Sequence, residues 1–356
     1  MMIKAVAILI VGVGLIYSYN VDERIRYFQT PTISLLDTSD LAIELINDSV
    51  YQVKRPDDTP LYYYTLLHTG VCFDNKCRPL SIYIYWNITG RYLGFEMPDE
   101  EFLSKYDHEP FTPAEYELLD SLLANPFLPL NNYSFYDLVD TAALENPEVD
   151  GVSGATSRDV LDYVVPDAAY TTYKLWNVVY GPVQDEIMIL TQNQLDDTLF
   201  SKILHSPVSA DQIWAAERTG MLGDLSNQMV DLIVNFIRES EYSQSYFAIR
   251  SMTRDQLQSD YLQRELFRLI GKVEYATEDL IYDKLKEIDQ LSPALIDLSI
   301  SGLSSMTDMQ VINLIRLYKR HKVNDPKLSI ELQFLAANSD NNYLKSQISG
   351  FLENAE

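Results

Sequence analysis

The chain has 356 residues, of which 47% are hydrophobic and 22% charged, with 27 basic against 52 acidic residues. This length predicts two domains, and this composition excludes an intrinsically disordered chain. The net charge of -25 argues against nucleic acid as a partner and against adsorption on anionic lipid through charge, because both need clustered Lys and Arg.

An uncharged apolar run follows Lys4 and covers residues 5–17. Its length suits the apolar region of a signal peptide and is short for a bilayer span. No good cleavage site follows the run. No cysteine stands at its end, which excludes lipoprotein processing. We expect residues 1–19 to be a signal peptide or a membrane anchor, with a buried strand or helix as the alternative. Export predicts an extracytoplasmic protein, either secreted or N-terminally anchored.

Residues 35–182 are predicted to form an α+β domain. Its first element is a helix over residues 37–48, since Leu41, Leu45 and Ile46 have the spacing of one helical face. Further along, Thr112 is a capping residue before a first-turn proline, which predicts a helix from there to about residue 124.

Between these helices, residues 61–97 predict β-sheet. Apolar residues alternate strictly with polar ones from Leu80 to Thr89, which is the pattern of a strand with one buried face. Thr89-Gly90 predicts a turn, and residues 91–97 predict the returning strand.

Cys72 and Cys77 are the two cysteines of the chain. They enclose a segment with Asp-Asn turn chemistry between two predicted strands, so the thiols could face each other across a hairpin. An oxidising compartment would make them a disulfide. A metal site is the alternative, but two thiolates need further ligands, and the four histidines are scattered.

Residues 184–356 predict an all-α domain, and Gly181-Pro182 marks the boundary. Roughly ten helices of similar length follow, with helix starts marked at Ser292-Pro293 and at Asp325-Pro326. Successive pairs of these helices predict an α-solenoid of the HEAT or armadillo type, with an irregular helical bundle as the alternative. A solenoid would recruit a protein partner.

The chemistry is concentrated in a loop of small residues that ends in the hydroxyl pair Thr156-Ser157. The sequence has no phosphate-binding glycine loop, nucleophile elbow or zinc-binding His-Glu-x-x-His helix. Thr156 and Asp159 fit a capping box, so Thr156 could serve only as a helix N-cap. A helix N-terminus beside glycine and alanine also suits a phosphate group.

Asp150-Gly151-Val152-Ser153-Gly154-Ala155-Thr156 resembles the Asp-(Gly/Ala)-x-(Ser/Thr)-Gly-Ala-Thr motif of the FMN-binding domains in Rnf and sodium-translocating NADH:quinone reductase complexes. In that family the final threonine forms a phosphoester with FMN, which an exported flavin transferase attaches. The resemblance implies FMN on Thr156, with Asp150, Ser153, Gly154 and Ala155 as recognition and loop positions. It covers about a hundred and twenty residues and does not extend into the helical half.

The resemblance extends to the surrounding segments. An aromatic-bearing helix follows the motif, as in the family. The family's Glu-Thr-Pro-Gly turn is not evident here, and Asp107-His108-Glu109-Pro110 occupies a comparable place after the returning strand. We expect Pro166 to split that helix and Asp167 to cap its continuation. Tyr83, Tyr85 and Trp86 are candidates to line the flavin pocket. For Trp86 the alternative, which we favour, is that its side chain points into the core.

Three functions fit the sequence. The first is an extracytoplasmic redox carrier, rather than a turnover enzyme, that exchanges electrons with a membrane or periplasmic partner. The second is a non-redox scaffold with a degenerate flavin domain, whose helical half recruits a partner. The third is a flavin-dependent reductase.

Overall fold

The computed structural model describes residues 25–29, 42–45, 50–70, 79–105, 109–134 and 162–353. The chain divides into two compact units, Met1–Asp185 and Glu186–Glu356. The first contains an antiparallel sheet with helices, and the second is built of helices. This is an α+β region followed by helices.

The sheet of the first unit has six antiparallel strands in the order β1-β6-β5-β4-β3-β2. Its long central strands β4 and β5 pair continuously from Tyr62 opposite Asn87 to Thr69 opposite Leu80. The strands are β1 (Arg26–Phe28), β2 (Ala42–Leu45), β3 (Tyr51–Lys54), β4 (Pro60–Thr69), β5 (Leu80–Asn87) and β6 (Tyr92–Glu96).

The predicted alternation in β5 is confirmed. Leu80, Ile82, Ile84 and Trp86 are buried, while the residues between them are half-buried. The predicted turn that follows is also confirmed, and it is stabilised by Asn87. The Oδ1 atom of Asn87 accepts hydrogen bonds from the backbone N–H groups of residue 89 at 3.0 Å and residue 91 at 2.7 Å.

Helix α1 (Pro113–Leu123) begins where the sequence predicts. Thr112 accepts from the backbone N–H of Glu115, and the Glu115 carboxylate accepts from the backbone N–H of Thr112 at 2.7 Å. This reciprocal capping box satisfies two donors that a helix N-terminus would otherwise leave unpaired.

The predicted helix over residues 37–48 is wrong, because β2 occupies its centre. Ile43 lies opposite Val53, and Lys54 Nζ forms an ion pair with Glu44 at 3.1 Å. Pairing with β3 satisfies one side of the β2 backbone and overrides the weak helical spacing of the three apolar residues. Ile43 is 56% exposed, as expected for an edge strand.

Helix α2 (Ala169–Val179) follows Pro166, but Asp167 does not cap it. Asp167 has φ +58° in the preceding turn, and the N-cap position is Ala168, which has no side-chain oxygen. The Oγ1 of Thr172 instead accepts from the backbone N–H of Val165 at 3.1 Å. The backbone of Asp167 is used for the chain reversal, so its carboxylate does not reach the helix N-terminus.

The second unit begins within helix α3, and ten α-helices follow in its described residues. Ser292 and Asp325 cap their helices as the sequence predicts. The helices are α3 (Pro182–Asn193), α4 (Asp197–Leu204), α5 (Ser209–Ala216), α6 (Asn227–Glu239), α7 (Tyr242–Ser251), α8 (Asp260–Phe267), α9 (Tyr275–Leu285), α10 (Pro293–Gly302), α11 (Asp308–His321), α12 (Pro326–Asn338) and α13 (Asn342–Leu352).

These helices pack in two layers. Helices α5, α7, α9, α11 and α13 contact one another in succession, and so do α4, α6, α8, α10 and α12. The buried side of α11 is formed by residues that include Leu314, Ile315 and Tyr318. Within the described ranges, every helix is too short or too polar to cross a membrane.

Candidate functional site

Most residues predicted to attach the flavin lie outside the described residues. These are Asp150, Ser153, Gly154, Ala155, Thr156 and Ser157, together with His108 and the proposed disulfide partners Cys72 and Cys77. Tyr85 is described, in the middle of β5. The described site is therefore built around Tyr85.

Tyr85 lies on the face of the sheet opposite to that of Trp86. Trp86 is fully buried, and its Nε1 donates to the carbonyl oxygen of Val179 at 3.0 Å, next to the end of α2. The prediction that Trp86 points into the core is confirmed. It is consequently the wrong residue to line a pocket on the other face.

The face that carries Tyr85 is rich in tyrosine. Register places Tyr51, Tyr64 and Tyr85 side by side on β3, β4 and β5. Ring centroids are 4.8 Å apart for Tyr51 and Tyr64, and 5.6 Å apart for Tyr64 and Tyr85. Tyr62 and Tyr83 extend this set at 6.0 and 6.5 Å from Tyr85. We call these five residues the tyrosine face.

A charged pair borders the tyrosine face. The Tyr85 hydroxyl donates to Glu96 Oε2 at 3.2 Å, and the Arg26 Nε donates to Glu96 Oε1 at 2.9 Å. Burial, reinforced by the Glu96 carboxylate, raises the pKa of Tyr85 far above its ordinary value. Tyr85 is therefore a neutral hydrogen-bond donor at all physiological pH values.

This arrangement suits a flat aromatic ligand. Tyrosine rings offer a large apolar contact area. Because each ring has a negative face and a positive edge, it favours offset-stacked or edge-to-face contacts with another ring. Arg26 and Glu96 form an ion pair at the border, where ligand sites commonly place the few polar groups that orient an aromatic ligand.

The other face of the sheet contains a buried carboxylate that the sequence did not reveal. Asp120 on α1 accepts from the Tyr92 hydroxyl at 2.8 Å and from Gln29 Nε2 at 2.5 Å. Burial raises the pKa of Asp120, against the effect of these two hydrogen bonds. The available signal in the sequence was its spacing of four residues from Tyr116, which places both residues on the same, buried face of α1.

We expect Asp120→Asn to remove a pH dependence from the stability of this unit. Since burial raises the folded-state pKa of Asp120, the folded protein binds a proton more tightly than the unfolded chain does. The resulting stability is present below the ordinary value of 3.8 and is lost as pH rises through the folded-state pKa. As the pH is raised from about 3 to about 7, the thermal midpoint of the wild type should fall relative to that of the variant. A constant difference between the two proteins would refute this role.

Of the predicted Asp107–Pro110 turn, the described residues are Glu109 and Pro110. Ser104 and Pro110 form an antiparallel bridge, and Lys105 Nζ lies 3.2 Å from Glu109 Oε2. The same Lys105 Nζ lies 3.1 Å from Glu115 Oε1 at the start of α1. Lys105 thereby connects Glu109 to the start of α1.

The helical unit has two shallow cavities beside the connection between α6 and α7. One of about 470 Å³ is lined by residues that include His205, Gln212, Asn235 and Gln244, and the other by residues that include Arg238 and Lys272. Both share Ser240 and Glu241. Both cavities are open to solvent and mix polar with apolar lining residues, so they lack the largely apolar enclosure of a small-molecule site.

No group of three or more metal-ligating side chains occurs within the part of the chain that the structure describes. Compared with models of protein families, with curated proteins and with solved structures, the chain gives no match. The function must therefore be inferred from the motif and the described geometry.

Proposed function

We propose that this protein is an extracytoplasmic electron carrier with FMN bound covalently to Thr156. The observation that carries the proposal is the motif Asp150–Thr156, which combines a small-residue loop with a hydroxyl acceptor. A phosphoester on this threonine would hold the flavin permanently, and the isoalloxazine would accept and pass on the electrons.

The α+β region supplies a surface that suits the isoalloxazine ring. The rings of Tyr51, Tyr64, Tyr83 and Tyr85 are partly exposed and offer stacking partners, whereas Tyr62 is buried. The ion pair of Arg26 and Glu96 lies at the border of this face. We propose that the ring lies against this face. The protein would then tune the flavin through the Arg26–Glu96 ion pair and exclude water through the tyrosines.

This assignment is tested by flavin fluorescence in a denaturing gel. The exported protein, made in a host that contains a flavin transferase, should give a fluorescent band that survives denaturation. Fluorescence that is released by denaturation would show non-covalent binding and contradict the phosphoester. A band without fluorescence would favour the scaffold function.

Export also implies that Cys72 and Cys77 form a disulfide. Strands β4 and β5 pair up to Thr69 opposite Leu80, and the two cysteines lie equally far along the chain from these residues. We expect the exported protein to resist thiol alkylation without reductant and to take up two alkyl groups after reduction. Alkylation of the unreduced, denatured protein would contradict the disulfide.

The scaffold function has one observation of its own in its favour. Two layers of successively stacked helices are the architecture of an α-solenoid, and solenoids commonly bind proteins on extended surfaces. We propose that the helical unit is such a solenoid and recruits a redox partner to the flavin domain. In the alternative function it recruits a partner without electron transfer.

A further inference from the structure

The helical unit has a basic edge that the net charge of the protein conceals. Residues 316–327 contain five basic residues and one acidic residue, although the whole chain has a net charge of -25. The basic edge consists of Arg316, Lys319, Arg320, Lys322 and Lys327, all of which are exposed. They lie at the end of α11 and the beginning of α12.

None of these five side chains forms an ion pair within the described residues. Other cations of the unit do, for example Arg268 with Glu265 at 2.7 Å and Lys286 with Asp283 at 2.8 Å. The nearest acidic residue in sequence, Asp325, instead accepts hydrogen bonds from the backbone of α12. The positive charge of the basic edge is therefore available to an external anion.

Stability of the fold explains only part of this edge. Lys319 and Arg320 lie in the last turn of α11, where positive charge interacts favourably with the helix dipole. Lys327 lies in the first turn of α12, where the same dipole disfavours it. Lys322 adopts φ +52° at a position that favours glycine. Lys322 and Lys327 therefore call for an explanation outside helix stability.

An exposed apolar stripe continues from the basic edge along α12. Ile330 is 64% exposed and Phe334 is 69% exposed. Lys327, Ile330 and Phe334 are spaced three and four residues apart, so they share one face of the helix. Glu331 is the acidic residue exposed beside them on α12.

We propose that the basic edge and the α12 stripe bind the surface of an anionic phospholipid membrane. Lipid phosphates attract the cations, and the boundary between headgroups and acyl chains accepts the two apolar side chains. A polypeptide that offers only acidic side chains would satisfy the cations and leave the stripe exposed. The acidic remainder of the protein opposes this contact only weakly, because charges beyond about 10 Å are screened at physiological salt.

The test is sedimentation of the full chain with vesicles of phosphatidylcholine, with and without phosphatidylglycerol. The increment in binding caused by phosphatidylglycerol measures the contribution of charge, and neutral vesicles measure that of the N-terminal apolar run. Each cation contributes about fivefold to such binding, so Arg320→Gln/Lys322→Gln should reduce the increment about 25-fold. High salt should abolish the increment.

The matched control removes two exposed cations elsewhere in the same unit. Arg254→Gln/Lys272→Gln changes the net charge equally and should leave the increment unchanged. Lysine acetylation supplies a local measurement that the N-terminal run does not affect. Anionic vesicles should protect Lys322 and Lys327 and leave Lys272 reactive.

Three results of the vesicle and acetylation experiments would overturn the proposal. They are an increment that is absent, an equal loss in the control variant, and equal acetylation of Lys322 and Lys272 on anionic vesicles. Salt-sensitive binding to soluble polyglutamate without vesicle binding would assign the basic edge to an acidic protein and would also overturn it.

Discussion

Replacing Thr156 with valine is expected to abolish covalent flavin almost completely and to yield a colourless protein. Valine has nearly the shape of threonine but lacks the hydroxyl that would carry the phosphoester. Visible absorbance of the purified protein, divided by its protein concentration, measures the loss. The only structural cost we expect is that of a helix cap, about 1 kcal/mol.

Two controls separate attachment from a general disturbance of the loop. Ser157→Ala removes the neighbouring hydroxyl and should keep most of the flavin, because Ser157 is not the acceptor. Thr156→Ser keeps a hydroxyl and should retain some covalent flavin. Equal flavin in wild type and Thr156→Val would show that Thr156 is a helix cap and nothing more.

Trp86→Ala is expected to destabilise the first unit by about 3–5 kcal/mol. Trp86 is fully buried, and its Nε1 donates to the carbonyl oxygen of Val179 at 3.0 Å. Alanine would leave a cavity between the sheet and α2 and an unpaired buried carbonyl. Because the chain has two compact units, its unfolding need not be two-state, so the effect has to be measured locally.

Hydrogen exchange followed by mass spectrometry provides this local measurement. Peptides from β4, β5 and β6 should exchange faster in Trp86→Ala, while peptides from α7 to α9 keep their rates. Trp86→Phe retains most of the apolar contact and should cost less, mainly the unpaired carbonyl at about 1–3 kcal/mol. Unchanged sheet exchange in Trp86→Ala would contradict the assigned role of Trp86.

The sequence predicts most reliably where one local pattern decides the structure. Leu80, Ile82 and Ile84 alternate with polar residues, and no competing period exists in that stretch. Thr112 and Asp325 precede first-turn prolines, and both cap helices in the structure. In these cases the local signal and the tertiary packing favour the same conformation.

Local patterns failed where a distant segment determined the outcome. β2 lies within a stretch of helical spacing, but pairing with β3 decides its conformation. Asp167 fits the position of a cap, yet its backbone is used for the reversal before α2. The partner of β2 lies outside its local sequence window, whereas at Asp167 a capping pattern does not report the backbone conformation of the residue.

Two features of charge were missed for a similar reason. Asp120 is one of 52 acidic residues, and only the packing of α1 against the sheet distinguishes it by burial. The five cations of the basic edge lie where α11 ends and α12 begins, and a net charge of -25 for the whole chain does not reveal them. Total charge describes the whole molecule, whereas partners respond to charge within a screening length.

The central claim is that Thr156 carries FMN, and the intact mass of the exported wild-type protein tests it most directly. Expression in a host that contains a flavin transferase should raise the mass by one FMN minus water. Peptide mapping should then locate the added mass on the peptide that contains Thr156. An unmodified mass from such a host, together with a colourless protein, would contradict the claim.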